Sequence, residues 1–248
     1  MTEHAKETTF MGIERSVTGK WWRERATDER LATTISQRFG VPEIVGRVMA
    51  NRGIGLDDAE SFLSPTLRDL MPDPSSLQDM DMAASRIADA IEKREQMAVF
   101  GDYDVDGATS TALLKRFFRA LGADVPVHIP DRMTEGYGPN APALLELQRK
   151  GANLILTVDC GVTAYGPLQE ARDAGIEVIV VDHHAAEPEL PPAVAVVNPN
   201  RLDDESGLGH LCAAGVAFLL CVAILRELRS RGWLEKAGVR APDLRNWL

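Results

Sequence analysis

The chain lacks the features that mark exported and disulfide-stapled proteins. Its three cysteines, Cys160, Cys212 and Cys221, are an odd number and form no Cys-x-x-Cys pair. Neither a disulfide framework nor a thiolate zinc site is therefore expected. The first ten residues carry charges and no apolar core follows them, so no export signal is expected either. These absences predict a reduced, cytoplasmic setting.

The sequence also lacks a hydrophobic run long enough to cross a membrane. One apolar run, at residues 211–225, holds fifteen residues, fewer than the ~20 that a membrane-spanning helix needs. Arg226, Arg229 and Arg231 follow it directly. We therefore expect a buried core helix at this position and no association with a membrane.

Basic residues are outnumbered. The chain has 37 Asp and Glu against 27 Lys and Arg, which gives a formal charge of −10. Such a chain does not hold nucleic acid by bulk charge, and would need local basic patches or bound metal ions to do so. Its 45% hydrophobic and 26% charged residues are ordinary for a globular protein. Its 248 residues suffice for one large α/β domain with a smaller helical extension.

Two patterns divide the chain. Residues 1–75 predict a helical lead-in, in which short helices near 28–39, 42–51 and 56–63 are separated by glycine and proline. A longer helix after Ser76 carries Met82, Ile87, Ala90 and Ile91 on one face. We assign residues 1–75 to the lead-in and 76–248 to a second domain.

The second domain alternates apolar runs with helical patterns. Strands that are apolar on both faces and alternate with helices predict a doubly wound, mostly parallel α/β sheet covered on both sides. The predicted strands lie at 97–100, 125–129, 154–158, 178–181 and 193–197, and the helices between and after them at 107–121, 141–150, 166–174 and 211–231.

Three of the predicted strands run into an aspartate: Asp102, Asp159 and Asp182. The carboxyl ends of parallel strands form the edge of the sheet where ligands bind, so the loops should bring these acids together. Several carboxylates in one crevice repel one another unless a cation lies between them. The pattern therefore predicts a cation site at this edge.

Other polar residues accompany the three acids. Asp104 and Asp106 follow the first strand, and His183 and His184 follow the strand that ends at Asp182. Oxygen and imidazole ligands without thiolate favour Mn²⁺ or Mg²⁺ over Zn²⁺. A metal ion held there would activate water and offset charge on a phosphoryl oxygen, which predicts a metal-assisted phosphoester hydrolase. Neighbouring residues of an extended chain point to opposite sides, so the two histidines should have different roles.

Each feature taken alone has a simpler explanation. Residues 102–107 have the Asp-x-Asp-x-Asp-Gly form of a calcium loop, but Leu113 stands where that loop needs a bidentate Glu. A haloacid-dehalogenase-like phosphatase also has Asp-x-Asp after its first strand, with Thr or Val in place of Asp106. Asp159 alone is a normal helix N-cap, and Cys160 a packed small residue. Capping does not explain three strands that end in the same way.

The motifs together resemble one known family. Residues 102–110 (DYDVDGATS), 158–161 (VDCG) and 182–184 (DHH) resemble the first three motifs of the DHH phosphoesterase superfamily, in the version found in RecJ-like exonucleases. Residues 134–138 (TEGYG), 197–199 (VNP) and 213–218 (AAGVAF) are similar to further signatures of that family. The resemblance covers roughly residues 20–248.

The resemblance implies a Mn²⁺- or Mg²⁺-dependent nuclease that removes nucleotides from the 5′ end of single-stranded DNA in repair and recombination. It also implies a monomer that works with a single-strand-binding protein and a helicase. Two alternatives stay open. One is a DHH phosphodiesterase acting on oligoribonucleotides or cyclic dinucleotides, and the other is a non-catalytic RecJ-like scaffold that binds repair partners.

The resemblance also assigns roles to residues. It implies metal ligands at Asp102, Asp104, Asp159 and His183, and places His184 close to the scissile phosphate or a second ion. Asp104, Asp159, His183 and His184 would be the catalytic group, with Asp106 and Asp182 as auxiliary acids. The implied substrate-binding residues are Gly107, Thr109, Ser110, Arg132 and Tyr137.

Two further expectations concern the helix at 107–121 and the end of the chain. The helix should offer free N–H groups near its start to a phosphate, and Lys115, Arg116 and Arg119 are candidate backbone contacts unless they form only a solvated face. RecJ-like proteins are longer and carry a fourth motif with another metal-ligand Asp. The sequence stops before that motif, so we expect weak or no nuclease activity.

Overall fold

The computed structural model describes residues 9, 13–23 and 28–247. The chain divides into two compact units, Met1–Pro72 and Asp73–Leu248. The parts of the predicted lead-in at residues 1–8, 10–12 and 24–27 lie outside the described residues.

The first unit is helical, as its sequence predicts. Asp28 starts the first helix by accepting a hydrogen bond from the Leu31 amide at 3.0 Å. Ile35, Met49 and Ala59 form a small core. The helices are α1 (Glu29–Phe39), α2 (Glu43–Asn51), α3 (Ala59–Leu63) and α4 (Leu67–Leu70), of which α4 has no counterpart in the prediction.

The second unit alternates strands and helices, and all five predicted strands are present. The second strand is two residues long rather than five. The elements are α5 (Met80–Lys93), β1 (Met97–Phe100), α6 (Val105–Ala120), β2 (Val127–His128), α7 (Ala141–Arg149), β3 (Leu154–Val158), α8 (Tyr165–Asp173), β4 (Glu177–Val181), β5 (Ala195–Val197), α9 (Ala213–Ser230) and α10 (Trp233–Ala237).

The five strands form one fully parallel sheet in the order β2-β1-β3-β4-β5. Side chains alternate between its two faces. Val99 and Leu156 point into a core formed with α5, α6 and α9, whereas Phe100 and Ile155 point into a second core formed with α7 and α8. The predicted doubly wound α/β fold is confirmed.

Helices α5 and α9 can be compared with what the sequence predicted for them. Met82 is 52% exposed, and the buried face of α5 is built instead on Met80, Ile87 and Ile91, which recur at helical spacing. Most of the apolar run, residues 213–225, lies in α9 (Ala213–Ser230), whose middle is buried. No helix among the described residues is both long and apolar enough to cross a bilayer.

Candidate active site

The candidate site lies where the strand order reverses. The chain leaves β1 for α6 on one face of the sheet and leaves β3 for α8 on the other, although β1 and β3 are neighbours. This divergence opens a crevice at the carboxyl ends of the two strands, which is where open α/β sheets bind their ligands. Asp102 and Asp159 follow these strands closely.

Three carboxylates meet in the crevice. Asp102, Asp104 and Asp159 each offer an oxygen within 4.8 Å of the others. Asp102 is 3% exposed and Asp159 1% exposed. Asp102 Oδ1 and both carboxylate oxygens of Asp159 are buried without a hydrogen-bond partner. Buried, unpartnered carboxylate oxygens are costly, and a divalent cation would compensate them, so the residues fit a metal ion.

The three acids differ electrostatically. Burial, followed by the neighbouring Asp104 carboxylate, raises the pKa of Asp159 to about 8. Burial also raises the pKa of Asp102. The pKa of Asp104 is lowered, because the Gly107 amide donates to its carboxylate. Asp104 therefore remains ionised beside two acids that hold their protons more tightly.

Asp104 is also the N-cap of α6. Its Oδ1 accepts hydrogen bonds from the amides of Asp106 and Gly107, at 2.9 and 3.0 Å. The expectation of free N–H groups at the start of this helix is therefore wrong at Gly107. Thr109 donates its hydroxyl to the Val105 carbonyl at 2.7 Å, and the Ser110 side chain is buried. The Ser110 hydroxyl has no hydrogen-bond partner among the described residues.

Gly107 has a packing role at this position. A Cβ atom there would lie 2.5–2.7 Å from the backbone of Asp102. Only glycine lets the first turn of α6 approach the end of β1 so closely. The close approach brings the Asp104 carboxylate next to Asp102.

Asp182 organises the histidine pair. Its Oδ1 accepts hydrogen bonds from the amides of His183 and His184, and from His184 Nδ1 at 2.7 Å. Its Oδ2 accepts one from the Val162 amide at 3.1 Å. Burial acts to raise the pKa of Asp182, but these bonds outweigh burial and lower it. The hydrogen bond from His184 to Asp182 raises the pKa of the histidine to about 8.

The two histidine rings lie side by side, with centroids 4.7 Å apart. The expectation that they point to opposite sides is wrong, because β4 ends at Val181 and the chain bends around Asp182. His183 Nε2 lies 3.3 Å from Asp159 Oδ1. Asp159, His183 and His184 form a second cluster whose ligand atoms lie within 4.8 Å of one another.

Asp106 connects the site to α9. Its carboxylate accepts hydrogen bonds from the amides of Ala213 and Ala214 at the start of that helix, at 3.4 and 3.2 Å. Asp106 Oδ2 also lies 3.8 Å from His183 Nε2. The AAGVAF signature at 213–218 therefore begins beside the carboxylates.

Two asparagines that the sequence analysis did not assign hold the histidine backbone. The buried Asn198 donates Nδ2 to the His184 carbonyl at 2.9 Å and accepts the Asn200 amide at 2.8 Å. Asn200 in turn donates Nδ2 to the His183 carbonyl. The available signal was the Val-Asn-Pro signature, which follows the predicted strand at the same edge of the sheet.

An aromatic group borders the crevice. Tyr137 lies edge-on to Tyr103 and to His184, with ring centroids 6.4 and 6.1 Å apart. Its hydroxyl donates to the Asp159 carbonyl at 3.4 Å. The exposed Arg132 places its guanidinium carbon 5.4 Å from the Tyr103 ring centroid. Arg132 and Tyr137 thus lie beside the site, joined by Tyr103, which was not predicted.

The sequence matches a known family and its enzymes. Residues 96–238 match the DHH family, N-terminal domain. The single-stranded-DNA-specific exonuclease RecJ of Bacillus subtilis (strain 168) is 37% identical over 210 residues, which are 84% of this chain and 26% of that protein. RecJ of Escherichia coli (strain K12) is 33% identical over 223 residues, 90% of this chain and 37% of that protein. The chain thus spans only part of these curated relatives.

Solved structures agree with the sequence comparison. A crystal structure of exonuclease RecJ bound to manganese is 39% identical, with a TM-score of 0.54, and covers 67% of this chain and 40% of that one. The structure of RecJ in complex with Mn²⁺ from Thermus thermophilus is 31% identical, with a TM-score of 0.62, and covers 86% of this chain and 28% of that one.

Proposed function

Since the chain belongs to the DHH family, we propose that it is a metal-dependent nuclease that hydrolyses single-stranded DNA from the 5′ end. Its relatives are named as single-stranded-DNA-specific exonucleases. The chain spans only 26% and 37% of the two relatives described above. That it shares the activity of those whole proteins is therefore our proposal.

The observation that carries the proposal is the set of buried carboxylate oxygens without partners. Asp102 Oδ1 and both oxygens of Asp159 are available to a cation. We assign Mn²⁺ or Mg²⁺ to Asp102, Asp104, Asp159 and His183, as solved RecJ structures contain Mn²⁺. When bound, such an ion supplies acidified water and stabilises negative charge on a phosphoryl group.

The residues around these ligands would orient His184 and place a positive charge in the site. Asp182 accepts the hydrogen bond of His184 Nδ1 and raises the pKa of this histidine to about 8, so in the metal-free protein His184 is mostly a cation at pH 7. A cation in this position stabilises a phosphate and can protonate the departing 3′ oxygen when water cleaves the P–O bond. Asn198 fixes the backbone that carries His184.

Substrate contacts would come from Arg132 and Tyr137, which lie beside the crevice with Tyr103. Arg132 is exposed and held against Tyr103, which suits a contact to a phosphate near the 5′ end. Tyr137 offers a ring beside His184, on which a base could stack. We further propose a cytoplasmic role in DNA repair and recombination, as a monomer with a single-strand-binding protein and a helicase as partners.

The test is nucleotide release from 5′-labelled and 3′-labelled single-stranded DNA with Mn²⁺. We expect only slow release of mononucleotides from the 5′ end, since the chain spans 26% and 37% of the two relatives, and a loss on the order of 100-fold or more in Asp104→Ala, which lacks a ligand. Asp173→Ala is the matched control, because Asp173 is an exposed aspartate at the far end of α8. Release that survives Asp104→Ala would contradict the assigned site.

The same assay separates the alternatives. Faster cleavage of oligoribonucleotides or cyclic dinucleotides than of long single-stranded DNA would favour a smaller-substrate phosphodiesterase. Mn²⁺ binding measured by calorimetry separates an inactive enzyme from a scaffold. A scaffold would bind no Mn²⁺, whereas an enzyme that lacks contacts for its DNA would bind Mn²⁺ without cleaving it.

A further inference from the structure

Helix α6 carries a group of cations without acidic partners. Lys115, Arg116 and Arg119 are exposed, and no carboxylate of the described residues lies within 4 Å of their charged groups. We call these three residues the basic face. Other cations of the same unit, such as Arg201 and Arg231, are engaged by carboxylates. In a chain with a net charge of −10, an unpaired basic face is a local feature rather than a consequence of composition.

Helix α6 leads from the candidate active site to the basic face. Helix α6 begins at its N-cap Asp104 and runs for 16 residues, which is about 24 Å at 1.5 Å per residue. Ala108 and Ala112 are exposed on the same side, at helical spacing from Lys115 and Arg119. A strand that leaves the crevice along α6 would meet small side chains first and cations afterwards.

An aromatic ring accompanies the cations. The ring centroid of Trp247 lies 5.4 Å from the guanidinium carbon of Arg116, and the tryptophan is partly exposed. Basic grooves with aromatic rings are typical of surfaces that bind single strands, because every base can stack on a ring. Lys115 and Arg119 also border an open depression, which they share with Asp124.

From this geometry we propose that the basic face binds the phosphate backbone of single-stranded DNA several nucleotides away from the cleaved bond. The proposal rests on the proposed function for the direction of the strand. Lys115 and Arg119 follow the N-cap Asp104 at a distance along α6 of about 17 and 23 Å, which at the roughly 3.4 Å per nucleotide of a stacked strand corresponds to about five to seven nucleotides, and to fewer in an extended strand. The contact would therefore hold long substrates and affect very short ones less.

An acidic protein segment would match the same charge. Nucleic acid is favoured, because α6 leads from the candidate active site to the basic face, and because Trp247 beside Arg116 is an aromatic ring that an acidic segment does not require. The experiment below distinguishes the two, since only nucleic acid gives a dependence on strand length.

The test compares two pairs of substitutions in the full chain. Lys115→Ala with Arg119→Ala removes two charges from the basic face. Arg149→Ala with Lys150→Ala removes two charges from the end of α7, where both cations are paired with Glu146. Binding of labelled 3- and 20-nucleotide oligothymidylates is measured by fluorescence anisotropy in EDTA, across a salt series.

We expect the basic-face pair to weaken binding of the 20-mer about tenfold and to lower the salt slope by about 1.4, as for two lost phosphate contacts. Binding of the 3-mer, which offers only two internucleotide phosphates, should be much weaker and change less, and the α7 pair should leave both affinities within about twofold of the native values. Asp124→Asn should tighten binding of the 20-mer, because it removes a carboxylate from the depression. All these substitutions are at surface side chains, so the fold should persist.

The proposal is overturned if the basic-face pair leaves 20-mer binding unchanged, or if both pairs weaken it equally through net charge. Binding of an acidic peptide, without length-dependent DNA binding, would assign the face to a protein partner. The proposed function can fail independently of this proposal. If the native chain never cleaves DNA but the basic-face pair still weakens 20-mer binding, the DNA-binding surface stands and the proposed nuclease activity is wrong.

Discussion

Asp159 combines burial, backbone strain and an unpartnered charge. Its φ is 61°, a left-handed conformation that aspartate tolerates better than most residues other than glycine. Its carboxylate is buried beside that of Asp104, which raises its pKa to about 8. Such costs are common at functional sites, where surrounding structure or a ligand compensates them.

The raised pKa predicts how the stability of the metal-free protein depends on pH. An unfolded aspartate has a pKa near about 3.9, so the folded state binds this proton more tightly. Its stabilising contribution is complete below about pH 4 and is lost as pH rises towards 8. The His184 contribution, with a pKa raised to about 8, is lost between about pH 6.5 and 8. The melting temperature in EDTA should therefore fall from about pH 6 to about pH 8.5.

Asp159→Asn tests this assignment, because it removes the charge and keeps the shape. By calorimetry in EDTA, we expect a higher melting temperature than native at about pH 8 and a weaker dependence on pH. Mn²⁺ should raise the melting temperature of the native protein and have little effect on the variant. Asp173→Asn is the control, and an equal gain in that variant would contradict a local cause.

At the scale of elements, α6 serves the site at three points along its length. Its N-cap Asp104 is a candidate ligand, and Gly107 lets its first turn approach Asp102. Its outer face carries the unpaired cations. Helix α9 is positioned against the same region, because Asp106 accepts its first amides. The positions of the carboxylates in the crevice thus depend on how α6 and α9 begin.

Gly107→Ala should disturb both packing and metal binding. A Cβ atom 2.5–2.7 Å from the Asp102 backbone forces α6 away from β1, at a cost of about 1–3 kcal/mol. Gly166→Ala in α8 is the matched control, because nothing lies within 4 Å of the place that its Cβ would take. Gly166 precedes Pro167, which disfavours helical backbone for a residue with a Cβ, so alanine there should bring no net gain and change stability by less than about 1 kcal/mol. Urea unfolding gives the stabilities, and calorimetry with Mn²⁺ the binding. The Gly107 variant should lose clearly more stability and Mn²⁺ affinity than the Gly166 variant, and equal effects would contradict the close approach.

At the scale of the molecule, the unit Asp73–Leu248 contains the candidate site and the residues that match the family. Arginines at the end of its helix α9 form ion pairs with other parts of the unit. Arg231 of the α9 end pairs with Asp89 and Glu92 of α5, and Arg226 pairs with Asp73. The unit therefore has its own core and its own ion-pair network.

Limited trypsin digestion should separate this unit. Arg68 lies on the four-residue helix α4 with its side chain 92% exposed, so cleavage after it is expected early. Arg86, which is largely buried and paired with Glu95 and Glu177, should resist. Mass spectrometry identifies the fragments, and circular dichroism should show the large fragment melting cooperatively. Early cleavage at Arg86, or a fragment that does not fold, would contradict the division.

The amino-acid sequence alone determined the alternation of strands and helices, the parallel sheet, and the acids at three strand ends. These features follow from local periodicity and from which residue ends each apolar run, and both can be read without knowing the fold. It did not determine the strand order. That order makes β1 and β3 neighbours and puts Asp102 beside Asp159, because non-local pairing depends on how helices cover the sheet.

Tertiary structure also decided where individual side chains point. The Asp104 side chain satisfies the amides that we expected to be free, and Asp182 turns the two histidines to the same side. Met82 is exposed because the burial of α5 depends on which face meets α9. Residue types and their order predict which groups gather at the edge of the sheet. Hydrogen bonds that form only after packing decide which of them stay without a partner and remain available to a ligand.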